Sequence, residues 1–573
     1  MERPITISRK LTRQKVASKI NAIISSRLVL IITFSALSIF NVSLFLKFNS
    51  LLGAQDLQFH LERIDELYRN VLQGNIFPEI STFNFDQNGS AVMSMYPKLP
   101  LYLFVILRFI FSSPITSYYL GLGLQNFLGL MIAYFSYLIV RKDDRLGAYL
   151  FSITYIFSEM FFAYEYISAD LGVSFSLIFL PLVFAGFYQW LTESKYKIMT
   201  IGISVILMSH ILNFIFVILV LAALTIINWK KLDKAKIVNL IKGITITAIV
   251  TSSFWVPALR FYSSTPMINP AGFPLQGMSV SDYLNPSIGS ASRYAVFFLA
   301  LAGLLIGTAS YKRLSNLNKQ LYWLSVLLLI VCSTHFTWKL LNNTPARTIQ
   351  FPWRLYIFPQ LFLTFLLVVI LTKWLRKLNS KKVKALSMAA FTGFALMSSV
   401  TFQQKIVNFQ ADSPEYLHVR ANKSALGSRL QNVQWYRVKN YSQFDNLLNS
   451  NHTRDYLPKA VANNFNTVSN DVATTSSKTR IHVNMIPNAN QVTMKFKLSK
   501  SQAKITLPFV IYNHSYSVWV NGKLTPLSVG KDHLLFVKNL GVGNQRVKVQ
   551  YHPLGVQTGV ALCSFLGAGI LLI

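Results

Sequence analysis

The sequence predicts an all-α polytopic membrane bundle that carries a β-sandwich domain on its outer side, near the C-terminal end. Three observations predict it. Of the 573 residues, 52% are hydrophobic and 14% aromatic, only 13% are charged, and the mean hydropathy is +0.40; ordinary soluble domains carry about 25% charged residues. Long apolar runs alternate with short Lys/Arg clusters, the mark of repeated membrane crossing. From Phe402 to Pro553 the chain changes character, becoming polar and then alternating with the period of two expected of strands.

The net charge of +34 comes from 55 Lys+Arg against 21 Asp+Glu. These cations are spread over many loops rather than gathered on one face, which excludes nucleic acid as a partner and suits loops held inside, facing anionic lipid. Cys332 and Cys563, the two cysteines, both lie in apolar segments, so there is no disulfide framework and no metal-ligand spacing.

Taken in order, a basic start (Arg3, Arg9, Lys10, Arg13, Lys15, Lys19, Arg27) precedes the run Leu28 to Phe45, which is long enough to span. No A-x-A-like cleavage site follows, so the segment reads as a signal anchor with the N-terminus in the cytoplasm. A large first outer loop, 48–116, comes next. It contains the apolar run Leu99 to Ser113, too short to cross and flanked for an interface by Lys98 and Arg108. Counting it as a span would put "RKDDR" (Arg141 to Arg145) outside and invert every later basic cluster.

The crossings then alternate. Tyr118–Val140 enters, Leu146–Tyr164 returns to "EYISADLG", and Val173–Trp190 enters to "TESKYK". Ile198–Asn228 lies between two inside clusters and must be a hairpin with "SHILN" at its outer tip. Ile237–Val256 exits, Tyr294–Ala309 enters, Leu321–Phe336 exits, Leu355–Thr372 enters and Ala385–Thr401 exits. With a last run from Val556 to Ile573 the total is about 12 spans plus one interfacial helix. The chain thus divides into a membrane domain (1–401), an extracytoplasmic β-rich domain (402–553) and a final span (554–573). The β-rich part holds 19 Lys/Arg against 6 Asp/Glu and no cysteine, and Asn521-Gly522 is a hairpin-turn pair. Its basic excess suits an anionic polymer, although a solvated surface would look the same.

Once the sides are assigned, polar residues collect on the outer rim. Asp56, His60 and Arg63 fall within an arc of about 60° on a helix, beside a stripe of Leu57, Leu61, Ile64 and Val71. That helix is expected at the interface, apolar face down, with the three polar groups turned toward an interior cleft; a solvated loop helix would account for the triad alone. The rim also receives Tyr96 and Lys98 from "MSMYPKLP", Asp170 before an apolar span, and His210 from the hairpin tip. "TIQFPWR" adds Trp353 between Arg347 and Arg354. Arginine pairs with phosphate through two parallel hydrogen bonds, though snorkelling at a membrane end would explain the arginines singly. Carboxylates and arginines on one rim together point to a reaction with a phosphate leaving group.

The segments "DLQFHLERIDEL…GNIFPEI", "MYPKLPLYLF", "SADLGVSFSLIFLPL", "SHILN", "IQFPWRLYIF" and "DYLP", in this order, resemble the GT-C superfamily of polytopic glycosyltransferases. Within it the chain is similar to the bacterial membrane family labelled 6-pyruvoyl-tetrahydropterin synthase-related, and to GT-C proteins that glycosylate teichoic acids. The histidine set a pterin synthase needs for its metal is missing. The resemblance spans nearly the whole chain and implies an inverting membrane transferase. Its donor would be a polyprenyl-phosphate sugar, its acceptor an extracytoplasmic wall polymer, teichoic acid or glycolipid, and a separate enzyme would charge the carrier. By position, Asp56 matches the acid of the first outer loop and Asp170 that of the second, the catalytic pair. His60, Arg63, Tyr96, Lys98, His210, Arg347, Trp353 and Arg354 would contact substrate. No cofactor is implied beyond the donor; no metal ligand is assigned, and divalent-metal assistance stays open. Two other readings remain, a flippase of lipid-linked sugar and a non-catalytic envelope scaffold. Charges at mid-membrane and internal repeats would favour transport; only Glu159 and Arg108 sit within apolar runs, and no repeat is visible.

Overall fold

The computed structural model describes residues 27–53, 56–270, 273–279, 298–377, 380–412, 436–449, 453–553 and parts of 559–569. The basic N-terminal start and most of the last apolar run lie outside these residues. Among the described residues, six helices are long and apolar enough to cross a membrane, or seven when Lys234–Val250 and Ser252–Ser264, bent by 67° at Thr251, are taken as one. Shorter apolar helices accompany them, including Leu99–Ile110 and the pair Lys197–Leu207 and Ile211–Ile227.

Helix α1 (Arg27–Phe48) packs on α4 (Pro114–Val140), and α4 packs on α6 (Leu171–Glu193). Local chemistry sets where these helices begin. Ser113 accepts from the Thr116 amide at 3.2 Å with Pro114 in the first turn, Asp144 accepts from Gly147 at 3.1 Å to start α5 (Arg145–Ile156), and Asp170 accepts from Val173 at 3.1 Å to start α6. Asp144 also accepts from Arg376 at 3.0 Å and from Tyr137, which ties the α4–α5 turn to the end of helix Ile357–Lys377. Helix α3 (Leu99–Ile110) has 12 residues; at about 1.5 Å per residue it cannot cross a core of about 30 Å alone. The helix break at 208–210 falls in the segment expected to be the hairpin tip.

The membrane domain and the β region share one continuous core. Leu51–Gly53 (β1) pairs antiparallel with Tyr436–Val438 (β2), so the exit of the first span is clamped to the chain that follows the last bundle helix. Beyond it, nine strands form two antiparallel sheets: β3 (Val472–Thr475), β4 (Arg480–His482), β7 (Gln502–Val510) and β10 (Leu534–Leu540) in the order β10-β7-β3-β4, and β5 (Asn484–Asn488), β6 (Gln491–Leu498), β8 (Tyr516–Val520), β9 (Lys523–Thr525) and β11 (Gly543–Tyr551) in the order β5-β6-β11-β8-β9. Val492, Met494, Ile505, Leu507, Val547 and Val549 fill the space between them. Asn521 and Gly522 both have positive φ, as the tight β8–β9 hairpin requires. The first outer loop seals one side of the sandwich. Val510 donates to Asn88 at 2.8 Å, Tyr512 accepts from Ala91 at 3.1 Å, and the Tyr551 hydroxyl donates to Glu79.

Candidate functional site

Helix α2 (Leu57–Leu72) carries the site's first group of residues. Its His60 and Arg63 turn inward, as expected, and burial extends round most of the helix. Leu57, Leu61, Ile64 and Leu67 are buried, but so are Gln58, His60, Glu62, Arg63, Asp65, Glu66 and Asn70. The outer loop, the helix Tyr441–Leu448 and the sandwich roof it over, and a buried polar face has to be paired. Gln58 donates to the Leu447 carbonyl at 2.6 Å. Glu66 accepts from the backbone amides of Thr82, Phe83 and Asn84 at 2.9, 2.9 and 2.8 Å, from the Ser81 hydroxyl at 2.7 Å and from Asn70 at 2.8 Å. This one carboxylate shapes the outer loop.

Asp56 stands immediately before α2, its amide bonded to the Ser168 carbonyl at 3.2 Å and its own carbonyl accepting from His60 at 3.0 Å. Its carboxylate is exposed. One turn on, His60 places Nε2 3.6 Å from the Asp170 carboxylate, and both residues are buried. Burial pushes the Asp170 carboxyl up, but the His60 ring beside it and the charge of Arg354 outweigh this and hold the group below the usual carboxylate range. Asp170 is therefore an anion fixed in place.

Arg63 donates to the carbonyls of Tyr96 at 3.0 Å and Pro97 at 2.7 Å, and its guanidinium lies 4.3 Å from the Tyr96 ring centre. Burial lowers its pKa to about 10, which leaves it a cation. Tyr96 in turn meets His60 edge-on at 5.8 Å and His210 at 6.2 Å. A Cβ on Gly172 would come within 2.8 Å of the Ser209 carbonyl and 2.9 Å of the Tyr96 hydroxyl, so only glycine lets α6, the 208–210 turn and Tyr96 approach this closely. His210 accepts from the Asn213 amide at Nδ1, 3.1 Å away, which leaves the proton of the neutral ring on Nε2. Burial lowers its pKa to about 4 although Asp170 opposes this, and the ring is neutral at physiological pH. Arg354 is half-buried, holds Gln350 at 2.9 Å and lies near enough to Asp170 and His210 for its charge to act on both.

Two further expected residues are placed as follows. Lys98 spends its donors on the Pro78 carbonyl at 2.7 Å and the Met93 carbonyl at 3.3 Å, and burial lowers its pKa to about 8; it closes the outer loop. Arg347 is exposed on the turn Pro345–Ile349. Trp353 is buried, stacked 5.3 Å from Phe351 and 6.4 Å from Tyr164, and forms a wall behind Arg354. Among the described residues, no three His, Cys, Asp or Glu side chains converge as a metal site would require.

Sequence reasoning gave no role to Asp455 and Tyr456 of "DYLP". Tyr456 has φ +66°, rare for a bulky side chain. Four hydrogen bonds hold the strap there: Tyr456 to the Ile268 carbonyl at 2.9 Å, Ile268 to Leu457 at 2.7 Å, Lys459 to Pro266 at 2.8 Å, and the Tyr512 hydroxyl to the Tyr456 carbonyl at 3.1 Å. The strained turn buries the Tyr456 ring near Arg63 and Asp170 and sets Asp455 beside Asp56. Burial, then the charge of Asp56, raises the Asp455 carboxyl. Glu165 was missed as well. It lies in a π-helical turn, Ala163–Ile167, buried against Gln125 at 2.8 Å and Asn126 at 3.3 Å. π-turns gather at functional sites, but nothing in "AYEYI" announces one.

The assembled site has an exposed carboxylate at its mouth and, deeper, a fixed anion–imidazole pair with two arginines. It can accept a proton from an incoming hydroxyl and hold an anionic group below it.

A family model described as "6-pyruvoyl-tetrahydropterin synthase related domain; membrane protein" matches residues 93–407. No curated protein matches the sequence. Among solved structures, the chain is similar to the arabinofuranosyltransferase AftD from Mycobacteria, at 13% identity and a TM-score of 0.43 over 67% of this chain. It spans only 27% of that larger protein. It is also similar to ArnT from Cupriavidus metallidurans in the apo state, at 14% identity and 0.39, covering 66% of this chain and 75% of that one. The same ArnT bound to undecaprenyl phosphate gives 12% and 0.36, with 74% of each chain covered.

Proposed function

The chain belongs to the 6-pyruvoyl-tetrahydropterin synthase-related family of membrane proteins, and we propose that it is a glycosyltransferase working at the outer face of the cell membrane. It would move a sugar from a polyprenyl-phosphate carrier to a hydroxyl of an envelope acceptor, a wall polymer or glycolipid. One observation carries the reading: Asp56, the His60–Asp170 pair, Arg63, Tyr96, His210, Arg354 and Asp455 come from separate stretches of chain to one mouth. That mouth lies between the helical bundle and the β sandwich, where a lipid-borne donor and a water-borne acceptor can meet.

In this mechanism the Asp56 carboxylate takes the acceptor's hydroxyl proton as the oxygen attacks the anomeric carbon. The new C–O bond forms as the bond to the carrier phosphate breaks, and the phosphate leaves as an anion facing Arg354. Asp170 holds His60, and Arg63 holds Tyr96, so that neither ring turns away. The N-terminus then faces the cytoplasm and the sandwich faces outward. Purified protein given a radiolabelled polyprenyl-phosphate sugar and membrane-derived acceptors tests this. Label should pass to an acceptor in the wild type and not in Asp56→Asn. Lipid-linked sugar that crosses vesicle bilayers without transfer would replace the proposal with a flippase.

A further inference from the structure

We propose that the outward face of the five-stranded sheet is a binding surface for an extended, phosphodiester-linked anionic polymer, gripped by Lys495, Lys497, Arg546 and Lys548 beside Trp519. It rests on the transferase reading only in making the bound chain an acceptor; the binding can be measured without any transfer.

The nine strands β3–β11 contain eight Lys/Arg and no Asp or Glu. On the five-stranded sheet four of the five basic residues fall on one face, while Lys523 pairs with Val520 on the other. In β6 and β11 they alternate with buried Val492, Met494, Phe496, Val547 and Val549, and Lys495, Lys497 and Arg546 are exposed. The register sets them side by side. Arg546 lies directly across from Lys495, and Lys548 is across from Trp519, with its ammonium 4.5 Å from the indole centre. Like charges directly opposite on neighbouring strands destabilise a sheet. Among the described residues none of these four cations makes an ion pair, so that repulsion is not relieved within the protein.

The rest of the face is acid-free and mostly polar, with Ile486 and Leu524 at the two ends of the Lys548–Trp519 row. Asn484 continues the Lys495–Arg546 row, and Asn488, Gln491, Gln550 and Ser517 form another. Residues two apart on a strand are about 6.6 Å apart and neighbouring strands about 4.8 Å, so the cations form a lattice on that scale. A three-carbon phosphodiester repeat presents its charges at comparable intervals. The half-buried Trp519 ring offers an apolar surface on which a carbon backbone or a sugar face can lie. An open sheet face suits a long chain better than a single small anion.

The test is binding of full-length protein in nanodiscs to a poly(glycerol phosphate) chain, with neutral dextran and phosphatidylglycerol vesicles in parallel. Wild-type protein should bind the polyphosphate and not dextran, with affinity falling steeply as salt rises. Lys495→Gln/Arg546→Gln/Lys548→Gln should bind at least about tenfold more weakly and reduce the slope of log affinity against log salt by about 2, for three lost contacts at about 0.7 each. Trp519→Ala, which leaves the charge intact, should weaken binding without changing that slope. Asp56→Asn should bind like wild type whether or not it transfers sugar. Undiminished binding by the folded triple variant, equal binding to dextran, or the same residue dependence for vesicles with none for the polymer would overturn the proposal.

Discussion

Glu66→Gln is the substitution that most directly tests how the outer loop is built. The carboxylate receives five hydrogen bonds, three of them from the consecutive amides of Thr82, Phe83 and Asn84. Glutamine has the same shape but replaces one acceptor oxygen with a donor. One oxygen of Glu66 serves Thr82 and Asn70, the other Ser81, Phe83 and Asn84. Whichever oxygen is lost, at least two buried donors then face a third. At about 1–3 kcal/mol for each unsatisfied group, the loop is destabilised by about 2–6 kcal/mol. Relief of the buried charge offsets part of this, so the lower end is expected. A loss of about 2 kcal/mol raises the open population of the loop about 30-fold. With both native cysteines replaced, Ala91→Cys reports that opening, because Ala91 is fully buried beneath Tyr512. Its maleimide labelling should speed up by about that factor in the Glu66→Gln background. There is also a pH signature. Burial raises the Glu66 carboxyl above its ordinary value, so its contribution to stability is full below that value and declines as pH rises through the folded one; the variant lacks that slope. Unchanged labelling and an unchanged pH dependence would refute the claim that Glu66 organises the loop.

Cysteine placed at Asp143, in "RKDDR", should resist membrane-impermeant reagents added to intact cells, and robust labelling would invert the topology. Asp170→Asn should fold, since asparagine also caps helices, yet leave His60 without its anion; transfer should fall, by less than in Asp56→Asn, and equal losses would give Asp170 a direct chemical role. His210 has a folded pKa of about 4 against an ordinary 6.5, so its contribution to stability is present above 6.5 and lost as pH falls through 4. His210→Asn keeps an acceptor for the Asn213 amide and removes the titration. The melting temperature of the wild type should therefore drop more than the variant's between pH 7 and pH 4.5, and parallel curves would show that His210 is not buried neutral.

The bundle was readable in the sequence because apolar length and Lys/Arg placement are local properties. The short run Leu99–Ser113 and the break at "SHILN" could be placed by parity alone. The sandwich was readable from period-two alternation and Asn521-Gly522. The setting of α2 was not. Its 3.6-residue apolar stripe is real, but the pattern cannot say that a helix nearly 400 residues later, Tyr441–Leu448, would cover another face. Nothing in the stripe marks Glu62, Asp65 and Glu66 as buried too. Asp56, His60, Arg63, Tyr96, His210, Asp170 and Arg354 could be assigned to one rim because topology sorts residues by side. Asp455 could not be assigned a part, because its position depends on one left-handed residue, Tyr456, and on a strap paired with Met267 and Ile268. Lys98 shared the rim in sequence, but its reach to two loop carbonyls is a matter of side-chain direction that spacing does not encode.

The most direct test of the central claim is single-turnover transfer from a radiolabelled polyprenyl-phosphate sugar by purified wild type and Asp56→Asn, both shown to be inserted and monodisperse. The exposed Asp56 carboxylate makes no side-chain cap bond to α2, so its amide isostere should fold normally. The account predicts transfer by the wild type and a rate at least about 10²-fold lower in the variant, the usual effect of removing a general base. Full activity in a correctly folded Asp56→Asn protein would contradict it.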